Sequence, residues 1–541
     1  MADKQLTFDS DARTSLMRGV DQLCRVVGLT LGPSGRNVLL NRMFGLPLVC
    51  SDGVTIAKEV ELPDAYENMG AQLVKEAASK TNDTVGDGTT TSVVLTQAIV
   101  RSGFQNVAAG ANGTALRTGI GKAVAAVVQD LKKLATKVES RDQIARVAAL
   151  SAHEEAIAGL LADAMDKVGR DGVITVEESK TLSDELEVVE GVRLDRGYLS
   201  PHFVTDAQRM EVALDEPIFL LTDQKISSAN EIVPVMEKVI EAGRRPLVIV
   251  AEDVDGEALA TLVVNKVRGT LPCVAVKAPG FGERRKALLE DMAIVTGATV
   301  ISGDVGLKLD NVEISHLGSA RRIVVLKDES TVVEGRGSEQ SIKERVDQLR
   351  AQIEETTSDY DREKLEERKA ALAGGVAVVK VGGATEPEVK ERKSRTDDAL
   401  SASRAAVEEG VVPGGGVALI RSAHVLDALE KQMSGDEALG VRLVKTALNA
   451  PLLLIARNAG HRGEVILEGV STGEGDWGFD AEQGEFCHMI ERGILDPVKV
   501  TRSALENAGS IAGVLLTTQA VITEVPEEKP LPADVQDFMH D

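Results

Sequence analysis

The hexapeptide Gly86-Asp87-Gly88-Thr89-Thr90-Thr91 places a carboxylate, two glycines and three hydroxyls directly before an amphipathic run, Ser92 to Val100. A helix N-terminus leaves N–H groups without intrahelical partners and carries the positive end of the helix dipole. Glycines let a backbone come close to an anion, so phosphate could seat there. Asp87 would repel that phosphate unless a divalent cation lay between them. Asp87 is therefore a candidate Mg²⁺ ligand, with phosphate oxygens completing the shell. The plainer alternative is an ordinary helix start with Asp87 or Thr89 as N-cap. The six residues alone do not separate the two.

Three further turns share this character. Thr30-Leu31-Gly32-Pro33 with Gly35-Arg36-Asn37-Val38 precedes an apolar run, Asp52-Gly53-Val54-Thr55 is a second, and Gly410-Val411-Val412-Pro413-Gly414-Gly415-Gly416 opens a third helical run. Glu67-Asn68-Met69-Gly70-Ala71-Gln72, Asp195-Arg196-Gly197-Tyr198-Leu199-Ser200-Pro201, Ala278-Pro279-Gly280-Phe281-Gly282, Ala406-Val407-Glu408-Glu409-Gly410 and Ile494-Leu495-Asp496-Pro497 follow in the same chain. In this order the motifs resemble the group I chaperonins, the GroEL/Hsp60 family, from Phe8-Asp9 to Val525.

The resemblance implies a multidomain α and α/β fold. A helical equatorial ATP-binding domain would combine residues 1–135 and 410–525. A small intermediate hinge domain would combine 136–190 and 376–409. An α/β apical domain, 191–375, would bind substrate and co-chaperonin, and 526–541 would be a disordered acidic tail. It implies ATP hydrolysis with Mg²⁺ and K⁺. Thr30, Leu31, Gly32 and Pro33, the backbone of Ser51, and Asp87, Gly88, Thr89, Thr90 and Thr91 would surround the phosphates and their cations, with Asp87 on the metal. Gly415, Asp480, Ala481 and Asp496 would contact ribose and adenine. Asp52 and Asp398 would be the catalytic carboxylates, Asp398 from a separate domain that closes on the nucleotide. Tyr198, Phe203, Val233, Met236, Leu259, Val263 and Val264 would form the apolar surface for non-native polypeptides and a GroES-type co-chaperonin. Spacing alone makes Leu259, Val263 and Val267 a core stripe instead. The implied assembly is a heptameric homo-oligomeric ring, possibly two stacked rings.

Composition narrows the alternatives. No Gly-x-x-x-x-Gly-Lys-[Ser/Thr] occurs, so this is not a P-loop enzyme. The net charge of −24 disfavours nucleic acid as a partner and suits a protein that exposes apolar surface while staying in solution. Aromatic residues are only 2 %, so the cores must be aliphatic. No apolar run reads as a membrane span, and the first residues lack the apolar stretch of a signal peptide. Cys24, Cys50, Cys273 and Cys487 are too scattered for a zinc site or a disulfide framework, which points to a reducing, cytoplasmic setting. His153-Glu154-Glu155 lacks the second histidine of a zincin helix.

The middle of the chain reads as α/β. Phe219–Leu221, Leu247–Val250, Val274–Val276, Thr299–Ile301 and Ile323–Leu326 predict strands, with helices such as 257–267 between them. Gly191 on one side and Gly374-Gly375 on the other could absorb rotation or simply turn the chain. Ile342, Val346, Leu349 and Ile353 predict the seam of a helical hairpin whose return helix starts at Ser358-x-x-Asp361.

Some positions depart from the family. Ser34 and Ser51 stand where lysines are common, and His202 where a tyrosine is. An Arg–Glu pair and a Lys–Glu pair that join rings fall at Leu452 and His461, and at Gln105 and Ser434, which leaves one ring or two open. Two other readings compete: a small-molecule phosphotransferase, and a non-hydrolysing scaffold that co-assembles with other subunits. The presence of Asp52, Asp87 and Asp398 together argues against the scaffold.

Overall fold

The computed structural model describes residues 4–524, apart from 42–46, 139, 153, 170–171, 180, 190, 208, 304–305, 357 and 374. The tail 526–541, His153 and Gly374 thus lie outside the described residues. The chain forms two compact units: Met1–Gly159 with Gly383–Asp541, and Leu160–Gly382. The boundaries run through both segments assigned above to a hinge domain.

The first unit is helical. Its main helices are Asp9–Val27, Ala65–Val85, Thr89–Ala108, Gly113–Leu134, Gly435–Ala447 and Val498–Leu516. With few aromatic rings to fill space, the core is closed by bringing helix backbones together. A Cβ on Gly19 would lie 1.7 Å from the Glu67 carbonyl oxygen, and one on Gly70 2.1 Å from that of Leu16. Gly119 and Gly440 do the same for Gly113–Leu134 against Gly435–Ala447, at 2.1 Å from the Glu437 oxygen and 2.4 Å from that of Leu116. Val20, Leu23, Val74, Leu95, Ile99 and Leu505 fill the remaining space and are wholly buried. The two chain ends meet: Lys4–Phe8 pairs antiparallel with Ala520–Glu524.

One segment does have the length and composition of a membrane span, Gly435–Asn458, contrary to the sequence expectation. Its apolar residues Val441, Leu443, Val444, Ala447, Leu448 and Leu452 lie in the buried clusters of this unit, which accounts for its hydropathy.

The second unit carries a seven-stranded sheet and, separately, a three-stranded one. Cys273–Lys277, Leu247–Ala251 and Ile218–Leu221 run parallel, and Gly318–Val325, Ser330–Gly335 and Gly191–Leu194 continue antiparallel. Val212–Asp215 also pairs with Gly318–Val325. Leu247–Ala251 is buried throughout, as a parallel strand covered on both faces must be. Thr299–Ile301 does not form the expected strand. Ile301 alone bridges Thr222, whose hydroxyl donates to the Ile301 carbonyl at 2.6 Å. Gly191 is explained by close approach within the sheet, where a Cβ would lie 2.4 Å from the Val332 oxygen.

The helical hairpin forms as expected, from Glu339–Glu355 and Asp359–Ala373. Ile342 and Leu349 are buried, and the Ser358 hydroxyl accepts from the Asp361 N–H at 3.2 Å. A buried ion triad fixes it to the helix Gly282–Thr296. Asp291, 4 % exposed, accepts from Arg345 Nε at 2.8 Å and from Arg368 Nε at 2.7 Å. Removing the shared carboxylate takes from Arg368 the carboxylate it pairs with and leaves Arg345 only the exposed Glu290, 3.0 Å away. Asp291→Ala should therefore destabilise this unit by about 3–5 kcal/mol, read as an earlier urea transition, and a wild-type midpoint would refute the role.

Candidate functional site

The Gly86–Thr91 turn is built by two left-handed glycines. Ala65–Val85 ends at Gly86 (φ 69°), whose N–H donates to the Asn82 carbonyl. Thr89–Ala108 begins at once, with Gly88 (φ 76°) as N-cap and no side chain capping it. The plainer alternative, Asp87 or Thr89 as N-cap, is therefore not what is seen. Neither glycine can be replaced freely: a Cβ would meet the Ser401 hydroxyl at 2.5 Å from Gly86, and Val500 at 2.5 Å from Gly88. Asp87 lies between them, its carboxylate accepting from the Gly88 N–H at 2.5 Å.

The other turns gather around this one. The hydroxyls of Thr30 and Thr90 are 3.2 Å apart. Gly53 fits under the same helix start, where a Cβ would lie 2.3 Å from the Thr90 hydroxyl and 2.8 Å from that of Thr89. Asp52 caps its short helix by accepting from Val54 and Thr55 N–H at 3.2 and 3.0 Å. The loop from Gly28 through Pro33 turns at Gly32 (φ 87°) and is held by Asn458, whose amide donates to the carbonyls of Gly28 and Leu31 at 3.0 and 2.9 Å. Asn458 carries no sequence signal of its own; only its position across the loop shows its part.

Asp496 sits in the strand Leu495–Pro497, opposite Val412. The Gly414–Gly416 turn folds over it, so that the N–H groups of Gly415 and Gly416 donate to its carboxylate. Asp480 ends the strand Trp477–Asp480, Ala481 follows it, and both are buried; Ala481 shares a cluster with Val417 and Met489, and a Cβ on Gly415 would touch Met489 at 3.1 Å.

Asp398 lies on the helix Glu386–Glu409, in the same compact unit as Asp52 and Asp87. Burial above all pushes the Cys50 thiol up to about 12, with the charges of Asp52, Asp398 and Glu391 adding to it. Ser51 donates to Glu391 at 3.4 Å, and Glu391 pairs with Arg395. Asp52, Asp87, Asp398 and Asp496 are thus brought to one region. The crowding shows in the ionisation of Asp87 and Asp496. Burial raises Asp87 from its usual range to about 6, against the Gly88 hydrogen bond and with Asp52 adding to the rise. Burial raises Asp496 to about 7, and Asp87 adds to it.

Carboxylates crowded beside a helix start that no side chain caps suit a ligand that brings both a cation and an anion. Among the described residues no three His, Cys, Asp or Glu side chains close around one point as a metal cage would. A cation here would take much of its shell from outside the protein, as Mg²⁺ bound with phosphate does. The residues present fit Mg²⁺ on Asp87 with phosphates against Gly32, Gly53 and the Thr89–Thr91 helix start.

The second unit places the expected apolar surface unevenly. Val264 and, beyond the expected set, Val267 are exposed at 44 % and 68 % on the helix Gly256–Val267. Tyr198, Val233, Leu259 and Val263 are partly buried. Phe203 and Met236 are core residues, at 0 % and 4 %, so in this conformation they offer no surface to a partner. The fully buried residues of this helix are Ala258 and Leu262; of the expected stripe, Leu259 and Val263 pack against the same core partly buried, and Val267 is exposed. Of the positions read above as altered contacts between rings, Leu452 is wholly buried, whereas His461, Gln105 and Ser434 are exposed.

Residues 23–526 match the family model of the TCP-1/cpn60 chaperonin family. The match takes in every turn of the carboxylate site and the whole of the second unit.

The raised ionisation of Asp496 has a measurable sign. Because the folded chain holds this proton more tightly than the unfolded chain, its contribution to stability is whole below about pH 4, where a free carboxyl titrates. It is lost as pH rises through about 7. Asp496→Asn keeps an acceptor oxygen for Gly415 and Gly416 while removing the charge. It should raise the melting temperature of the ligand-free protein more at about pH 8 than at about pH 5. Equal shifts at the two pH values would show that Asp496 is not held against its ionisation.

Proposed function

The chain belongs to the TCP-1/cpn60 chaperonin family, hence to a family of chaperones, and we propose that it is an ATP-driven folding chaperonin of the group I type. The convergence of Asp52, Asp87, Asp398 and Asp496 on the Gly86–Thr91 helix start carries this reading. Hydrolysis needs water aligned with the terminal phosphate and offset of the charge on the group transferred. In the proposed site the helix-start N–H groups and Gly32 receive the phosphates. Mg²⁺, when bound, supplies the positive charge that the carboxylates call for. Asp52 and Asp398 orient and deprotonate the attacking water, and Gly415, Asp480, Ala481 and Asp496 hold ribose and base. Ser51 offers its backbone to K⁺.

Non-native polypeptides would be captured on the second unit through Val264 and its neighbours Leu259, Val263 and Val267, with Tyr198 and Val233 beside them in the proposed set. Apolar patches of this kind bind exposed hydrophobic chains without regard to sequence. A co-chaperonin of the GroES type would compete for the same surface. Ring assembly is supported by two small sheets in the first unit, Lys4–Phe8 with Ala520–Glu524 and Val38–Leu40 with Leu48–Cys50. Leu6, Phe8, Ile522 and Leu39 are exposed on them at 52 %, 55 %, 54 % and 70 %. Sheets with apolar faces and open edges invite a strand from another copy, which suits a homo-oligomeric ring, heptameric in this reading, working in the cytoplasm.

Two substitutions separate the activities. Asp398→Ala should keep ATP affinity and lose roughly 10²-fold or more in turnover, the scale of a positioned acid or base; unchanged turnover in a steady-state phosphate-release assay would sink its catalytic role. Val264→Glu should abolish capture of a chemically denatured protein in an aggregation assay while intrinsic ATPase stays near wild type. Loss of both together would mark Val264 as a folding residue instead.

A further inference from the structure

The turn after Trp477–Asp480 is held by its own first residue. Asp480 is 5 % exposed. Its Oδ1 accepts from the N–H groups of Glu482 and Gln483 at 3.0 and 3.1 Å, and its Oδ2 accepts from Arg492 Nε at 3.0 Å. The Gly484 N–H closes the turn on the Asp480 carbonyl at 2.8 Å.

Arg492 stands four residues before Asp496. From it the chain passes Gly493 (φ 84°) and Ile494 into the Asp496 strand, and the Ile494 carbonyl accepts from the Gly414 N–H at 2.9 Å. One guanidinium therefore ties the 480–484 turn to the segment that sets both Asp496 and the Gly414–Gly416 turn. Ala481, Met489 and Val417 share one buried cluster between these ties.

A carboxylate offers about four lone-pair directions and no donor. Three at Asp480 are taken by Glu482, Gln483 and Arg492. What remains accepts a donor and repels a carbonyl oxygen.

We propose that Arg492 is a positioning residue for the nucleotide: it clamps Asp480 and Ala481 at the base end of the pocket and leaves Asp480 one acceptor position, which selects the amino group of adenine over the carbonyl of guanine. The inference rests on the nucleotide reading above. A neutral residue at 492 would leave the Asp480 carboxylate buried without its counter-charge, free to swing or draw in water, and the pocket would lose its edge.

The test uses the full-length chain with Mg-ATP and Mg-GTP, by calorimetric binding and steady-state turnover. Arg492→Met should raise KM for ATP about tenfold, the scale of one charge-assisted hydrogen bond, with kcat within about twofold, and should lower the preference for ATP over GTP. Arg492→Lys should recover part of the loss. The double variant Asp480→Asn with Arg492→Met should recover more, because a neutral amide needs no counter-ion. Wild-type KM and preference in Arg492→Met, with only a lower melting temperature, would reduce the pair to a structural contact and overturn the proposal. A wild-type protein that binds neither nucleotide would overturn the nucleotide reading itself, before any variant is compared.

Discussion

The burial of carboxylates beside one another is the constraint on which the first unit turns. Asp87 and Asp496 are half-buried, each raised in pKa chiefly by burial, with Asp52 adding to Asp87 and Asp87 to Asp496. Isolated like charges in such surroundings normally protonate or separate. Here the backbone prevents separation. Asp52 is fixed as an N-cap, Asp87 between two left-handed glycines, and Asp496 under two glycine N–H groups. The folded state thereby holds these carboxylates at an electrostatic disadvantage, which the cation of the proposed site would relieve. Some stability is sacrificed where these carboxylates are held.

That sacrifice is possible because the surrounding frame is stiff. Gly19 with Gly70, and Gly119 with Gly440, bring helix backbones into direct contact. A core of Ala, Val, Leu and Ile packed this way has little room to shift, since close-packed interiors resist small displacements. The same frame carries Gly53 beneath Thr89 and Thr90, and Asn458 across the Thr30 loop. Low aromatic content and precise carboxylate placement are thus two consequences of one packing strategy.

Much of this was legible in the residues and some was not. The glycine-rich turns announced themselves, because only glycine tolerates the left-handed backbone and the near contacts found at Gly32, Gly86 and Gly88. The strands Ile218–Leu221, Leu247–Ala251 and Cys273–Lys277 were visible as short apolar β-branched runs. Exposure was harder. Leu262 and Val264 belong to one apolar helix, yet one is buried and the other open. Phe203 and Met236 looked like surface by analogy and are core. Thr299–Ile301 has strand-forming residues but makes only one bridge. Each of these depends on which neighbour arrives from elsewhere in the chain, a property that no local period encodes. Asn458 and Arg492 were invisible for the same reason: each acts on residues distant in sequence or across a turn, through contacts that spacing cannot announce.

The acidity of the whole chain then takes on a second meaning. A net charge of −24 opposes the approach of a triphosphate, so in the proposed function affinity would come from short-range donors and a cation, not from the overall field. Beyond a Debye length of about 8 Å at physiological salt the opposing field is largely screened, whereas the contacts at Asp87 and the Thr89 helix start are not. The charge can therefore serve solubility, keeping apart molecules that present Val264 and Val267 to solvent, without disabling the proposed anion site. Local geometry decides what binds, and global charge decides what stays dispersed, because the two act over different distances.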